Sequence, residues 1–235
     1  MIKKLVMIMG GTAVGKTMFS RHLIRCFMQS ENKVAAVKID CLSTEDDRAY
    51  KSLGIPVAVG LSKDICPDHF LVSNIEELIE WGNDKETDIL LIETAGLCNR
   101  CSPATKKTIS VCIVDSTNGY NAPRKFGPML NSADIIVLTK TDVISQAEKE
   151  IIVHHLTKLN SSAAVFSVEG LSGYGIDAVA KHILTLKDVE LFTPDVLRHT
   201  MPSAVCSYCI GECRVGKAFQ QGVVGKIEFG GEENE

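Results

Sequence analysis

No run of apolar residues in the sequence approaches the roughly eighteen that a membrane-spanning helix requires, which excludes a helical integral membrane protein. No block of lysine or arginine is present and the formal net charge is −4, so a general binder of nucleic acid or of anionic membrane is not expected. The opening MIKKLVMIMG has two lysines and an apolar stretch. That stretch stops at a glycine with no small-residue cleavage site behind it, so a secretory signal is not expected and a cytoplasmic location is. Internal repeats and low-complexity tracts are also missing, which excludes a repeat array.

What is present suits a globular chain. Of 235 residues, 45% are apolar and 23% charged, enough for a large core in one domain with an appendage. The nine cysteines are an odd count. In a compartment where thiols stay reduced, such usage points to metal or redox chemistry more than to a disulfide frame.

Short β-type runs alternate with helical patterns along most of the chain: KLVMIM, VAAVKI, IPVAV, DILLIE, ISVCIVD, ADIIVLT and AAVFS are separated by stretches such as TMFSRHLIRCFMQ, QAEKEIIVHHLTKL and GIDAVAKHILTL. A further helix, NIEELIEW, is expected to start at a capping pair, Ser73 and Glu76. The alternation predicts an α/β fold, a mainly parallel sheet flanked by helices. It ends near Lys187, which sets a boundary near residue 190. Residues 191–235 then form a short cysteine-rich C-terminal extension, with possible strands in VVGKIEF and an acidic end.

GGTAVGKT follows the first strand and opens the first helix, which is the placement the pattern G-x-x-x-x-G-K-[ST] requires. Gly10, Gly11, Thr12, Ala13, Val14 and Gly15 wrap a phosphate chain with backbone amides, Lys16 reaches the β and γ phosphates, and the Thr17 hydroxyl binds Mg²⁺, with Met18 next in the helix. Asp40 and Glu93 end two strands and are expected at the same sheet edge. One of these acids would orient an attacking water and the other hold magnesium, so Lys16, Asp40 and Glu93 are the catalytic candidates. Helix capping is the alternative role for either acid.

Thr139, Lys140 and Asp142 lie in TKTD, of the form [NT]-K-x-D. A carboxylate at Asp142 pairs with the guanine N1–H and amine, while adenine offers an acceptor at N1 and leaves that carboxylate unpaired. GTP is therefore favoured over ATP.

These carriers, GGTAVGKT, the KID strand end, LLIETAGL, TKTD and LSGYGID, together resemble the P-loop GTPases that include the hydrogenase and urease nickel-insertion proteins and the cobalamin-linked zinc chaperones. The resemblance covers residues 3 to about 187. It implies GTP hydrolysis with Mg²⁺ coupled to delivery of a metal, nickel foremost, to a client metalloenzyme or its assembly proteins, with a homodimer formed or tightened by nucleotide and metal. The chain departs from the pattern at Gly11, where related dimeric ATPases carry an extra lysine, and in having no N-terminal histidine-rich store.

Within that reading the thiols acquire a purpose. Cys98 and Cys101 lie just beyond Gly96, on a segment that would move with the γ phosphate. Two thiolates fall short of a closed site. The same pair from a second copy, or Cys66 and His69, would complete it. Cys66-Pro67-Asp68-His69 is similar to the Cys-Pro-x-His type of motif at which the urease member holds nickel, with Asp68 between Pro67 and His69. In the extension Cys206, Cys209 and Cys213 make a compact chelate suited to zinc, to a metal in transit or to an iron–sulfur cluster. Cys26, Cys41 and Cys112 read as core residues. Two other functions fit the same residues: a small-molecule P-loop kinase with a structural zinc tail, and a nucleotide-regulated iron–sulfur protein.

Overall fold

The computed structural model describes residues 1–96, 102–190, 195–199, 211–220, 222 and 225–229. Seven parallel strands, β1 (Lys4–Gly10), β2 (Val34–Asp40), β3 (Val57–Leu61), β4 (Ile89–Glu93), β5 (Ile109–Asp115), β6 (Ile135–Thr139) and β7 (Ala164–Ser167), form one sheet in the order β3-β2-β4-β1-β5-β6-β7. Each forms because apolar, often β-branched residues fill both faces, so the strands read as continuous hydrophobic runs. In β1, Leu5, Met7 and Met9 enter one core while Val6 and Ile8 enter the other.

Helices α1 (Lys16–Gln29), α2 (Asp46–Lys51) and α6 (Ile176–Thr185) cover the second core with Phe19, Leu23 and Phe27, Tyr50, and Val179 and Ile183. On the opposite face α3 (Pro67–Asp84), α4 (Gly127–Asn131) and α5 (Gln146–Leu159) supply Phe70, Leu71 and Leu78, Met129 and Leu130, and Ile152 and Leu156. Full burial of each such side chain contributes about 1.5–3 kcal/mol. Among the described residues, no helix is long and apolar enough to cross a membrane.

The helix assigned to NIEELIEW begins six residues earlier than Ser73, at Pro67, with Cys66 as its N-cap. Proline at the first helical position is already set at a helical φ, and burial of Phe70 and Leu71 anchors the added turns. Ser73 is therefore inside the helix and no capping box forms there. The corresponding pair in α5, Ser145 and Glu148, does form one.

The described parts of 191–235 lie against this sheet and helix framework and add Leu197, Val215 and Ile227 to the α3-side core. The described part of VVGKIEF, residues 225–229, forms no strand; two short strands, β8 (Asp195–Val196) and β9 (Arg214–Val215), pair antiparallel. Asn74, fully buried in α3, clamps the backbone at the far end, donating to the Gly225 carbonyl at 2.9 Å and accepting from the Ile227 N–H at 2.9 Å.

Arg198 is the main polar anchor. Its guanidinium donates to the carbonyls of Thr105 (2.7 Å), Ser132 (2.8 Å) and Thr108 (2.6 Å) and makes a two-pronged pair with Asp134 at 2.9 and 2.8 Å. Arg198→Ala is expected to lower unfolding free energy by about 2–3 kcal/mol, and Arg198→Lys to recover little of it because an ammonium cannot match the planar fork. Urea denaturation of the full chain measures both; a loss under about 0.5 kcal/mol would contradict the anchoring role.

Candidate functional site

The strand order reverses direction at β1, whose carboxyl end opens between β4 and β5. Ligands of open parallel sheets sit in such a crevice. Gly10 takes φ +147°, and a Cβ there would lie 2.6 Å from the Ile113 carbonyl oxygen, so the chain passes β5 only as glycine. Gly15, at φ +94°, is the left-handed N-cap of α1. The loop thereby turns the N-terminus of α1, a seat for anions, into the crevice.

Lys16 folds back over this loop, donating to the carbonyls of Gly11 (2.8 Å) and Gly10 (3.2 Å). Burial lowers its pKa, and the charge of Glu93 offsets part of that shift. Gly96 lies directly on the same loop. At φ +78°, a Cβ on Gly96 would come within 2.3 Å of the Gly10 oxygen and 2.4 Å of the Lys16 Nζ. The Thr12 hydroxyl donates to the Gly96 carbonyl at 3.1 Å. The chain leaving β4 is thus in contact with the phosphate loop before it reaches Cys98.

The strand-end acids separate. Glu93 is buried, with Oε1 at 2.8 Å from the Thr17 hydroxyl and 2.7 Å from Lys38 Nζ, while Oε2 accepts from the Tyr50 hydroxyl. Asp40 instead lies half-buried at the end of β2 and accepts from the Cys41 N–H at 2.8 Å. The second acid beside Thr17 is Asp46, at 3.1 Å from the hydroxyl and 2.8 Å from Lys38. Sequence reasoning missed Asp46 because it weighed acids at strand ends, whereas this one begins α2; the acidic run Glu45-Asp46-Asp47 at the N-cap and first turn of that helix was the available signal.

Burial disfavours ionisation of Asp46, but Lys38 and Thr17 outweigh it and hold its carboxyl below the usual value. Burial would likewise discharge Lys38, yet Glu93 and Asp46 leave its pKa raised. Tyr50 is pushed well up, first by burial and then by Glu93, and stays a neutral donor. The hydroxyl of Thr17 and the carboxylates of Asp46 and Glu93 are convergent hard oxygen donors, a set that fits Mg²⁺.

TKTD closes the other side. The buried Thr139 hydroxyl is 2.8 Å from the Val14 carbonyl, tying β6 to the phosphate loop. Lys140 takes φ +57° and sends its ammonium 2.5 Å from Asp115, beside the Ala13 carbonyl at 3.3 Å. Burial opposes the charge on Asp115, but Lys140 and Thr117 hold its carboxyl low. Asp115 ends β5 as Glu93 ends β4, a parallel visible in the sequence as an acid closing each apolar run. Asp142 is exposed at the same edge, and its neighbour Thr141 donates to the Val168 carbonyl at 3.2 Å, just ahead of the loop bearing exposed Leu171 and Tyr174.

The thiols divide differently. Cys98 and Cys101, and Cys206 and Cys209, lie outside the described residues. Cys66 is half-buried at the start of α3, His69 is buried in its first turn, and Cys213 is half-buried immediately before β9. Among the described residues, no group of three or more His, Cys, Asp or Glu side chains is arranged to hold a metal. Cys112 is a core residue, its thiol pushed by burial to about 12. Cys26 is half-buried, and Cys41 is a rim residue at the β2 end, with the Ser62 hydroxyl 3.7 Å from its sulfur.

Residues 4–167 match the family described as CobW/HypB/UreG, nucleotide-binding domain. The chain belongs to the CobW/HypB/UreG family. The uncharacterized protein MJ0120 of Methanocaldococcus jannaschii is 48% identical over 225 residues, covering 96% of each chain. Urease accessory protein UreG 2 of Streptomyces griseus is 24% identical over 194 residues, 77% of this chain and 86% of its own. HypB from Helicobacter pylori, solved in complex with nickel, superposes with a TM-score of 0.64 at 16% identity, over 77% of this chain and 86% of HypB. That likeness shows the fold alone, a P-loop GTPase fold.

Proposed function

We propose that this protein is a Mg²⁺-dependent GTPase that couples nucleotide state to delivery of a transition metal, nickel foremost, into a client metalloenzyme or its assembly proteins. The observation that carries the reading is Gly96 seated on the phosphate loop, between buried Glu93 and the Cys98–Cys101 pair. A group bound at Lys16 must push against or pull on the segment that bears two thiols. Family membership and the UreG and HypB relatives support the metal side of the proposal.

In this reading the loop amides and Lys16 bind the phosphates, while Thr17, Asp46 and Glu93 hold magnesium directly or through water. Magnesium, when bound, neutralises charge on the β and γ phosphates. Asp40, apart from Thr17, is assigned the attacking water. Asp142 pairs with guanine, and Thr139 and Lys140 keep its loop against the phosphate site. Residues 1–190 act as the GTPase domain and 191–235 as the appended thiol-bearing part, which holds zinc, a cluster or metal in transit through Cys206, Cys209 and Cys213. Cys66 and His69 serve as further ligands, and a second copy supplies the rest in a homodimer.

Equilibrium binding and phosphate release with Mg²⁺ test the enzymatic part. GTP is expected to release free phosphate and to bind more than about tenfold more tightly than ATP. Equal use of both nucleotides, or phosphate transfer to a metabolite without release, would overturn it.

A further inference from the structure

Lys38 is the one buried cation in this cluster that the GTPase reading leaves without a task. It lies on β2 directly beside Glu93 on β4 in the strand register, and its side chain is 4% exposed. Its ammonium is 2.7 Å from Glu93 and 2.8 Å from Asp46. The same Glu93 Oε1 and Asp46 Oδ2 atoms that Lys38 engages are those facing the Thr17 hydroxyl. One internal positive charge therefore holds the oxygen donors that suit a divalent cation.

Two carboxylates brought this close to one hydroxyl repel one another and need a counter-charge to stay folded. Lys38 supplies one from within the chain. It also has a cost for magnesium: a second cation at those oxygens meets the ammonium at short range, and with Lys38 and Glu93 buried, the water that reaches Asp46 screens that repulsion only in part. A triphosphate brings enough negative charge to offset both.

We propose that Lys38 is a positioning residue that stands in for Mg²⁺, aligning Glu93 and Asp46 beside Thr17 before nucleotide arrives and keeping Mg²⁺ from binding without it. This rests on the reading of Thr17, Asp46 and Glu93 as the magnesium set. Magnesium entry is then conditional on the triphosphate, and the acids need no rearrangement when it comes. Tyr50, hydrogen-bonded to the other oxygen of Glu93, keeps that carboxylate in place while Lys38 yields.

The test is titration of nucleotide-free protein with magnesium chloride, read by calorimetry and by the melting temperature, for wild type, Lys38→Met, Lys38→Arg and Lys38→Met/Glu93→Gln. Wild type and Lys38→Arg are expected to show no Mg²⁺ binding in the millimolar range. Lys38→Met gains it, with affinity at least about tenfold above wild type and a melting temperature that rises with Mg²⁺. The double variant, with one acid neutralised, loses the gain. If Lys38→Met is unfolded without Mg²⁺, its recovery by Mg²⁺ is the expected result. Equal Mg²⁺ responses in wild type and Lys38→Met, or a Lys38→Met that stays unfolded at millimolar Mg²⁺, would overturn the proposal. GTP binding by wild type is measured alongside. Its absence would sink the GTPase reading and leave the magnesium comparison standing, whereas GTP binding with equal Mg²⁺ responses sinks the Lys38 role alone.

Discussion

Gly96→Ala is expected to slow single-turnover phosphate release from GTP by about a hundredfold, the cost of displacing a positioned group by roughly an ångström. The added methyl would lie 2.3 Å from the Gly10 oxygen and 2.4 Å from Lys16 Nζ, and the backbone there has φ +78°. The Lys16 ammonium can swing aside, but the backbone carbonyl of Gly10 cannot, so the segment after β4 must lift off the phosphate loop. The fold itself should survive, since a left-handed alanine costs only about 1–2 kcal/mol. Phosphate release is the discriminating assay, with GDP affinity and the urea midpoint as controls. Unchanged release in a variant that still binds GTP would mean that the segment takes no part in sensing the γ phosphate.

Asp142→Asn should change which base the protein accepts. Losing two charge-assisted hydrogen bonds to guanine is expected to weaken GTP binding on the order of 10²-fold or more. The asparagine amide matches xanthine instead, whose 2-carbonyl accepts where guanine donates, so xanthosine triphosphate should bind the variant more tightly than GTP does. Stability is expected to hold, because Asp142 is exposed and the fixtures of its loop are Thr139 on Val14 and Lys140 on Asp115. Competition of labelled GTP by each nucleotide gives the ratio. A variant with unaltered preference for GTP would show that TKTD is a turn with no base-reading role.

The candidate site residues differ in how visible they are in the sequence. Asp142 sits in a four-residue element whose chemistry can be read locally, as can Lys16 and the glycines of the phosphate loop. The seven strands were equally legible, since burial on both faces leaves each one a run of apolar residues. Lys38 and Asp46 were not. Their meaning depends on the β2–β4 register and on where α2 begins, pairings that bring Lys38 to Glu93 across 55 residues and leave no periodic trace. Asp40 looked equivalent to Glu93 as a strand-end acid, yet only one of the two carboxylates faces Thr17.

The helix at α3 shows the same limit from the other side. A local capping pattern at Ser73 and Glu76 competed with Pro67 and the burial of Phe70, and tertiary packing won. The C-terminal segments were the least legible. Their order comes from long-range anchors, Arg198 on Asp134 and Asn74 on Gly225 and Ile227, rather than from a pattern of their own.

The central claim is that triphosphate at the loop and metal at the thiols belong to one equilibrium, joined through Gly96. Linkage requires that each ligand change the affinity of the other by the same factor. The most direct test is Ni²⁺ affinity of the full chain with a non-hydrolysable GTP analogue and with GDP, in wild type and in Cys98→Ala/Cys101→Ala. The account predicts an affinity about tenfold or more higher with the analogue, equivalent to about 1.4 kcal/mol of coupling, and no difference in the double variant. Identical Ni²⁺ affinity of the wild type in both nucleotide states would contradict it.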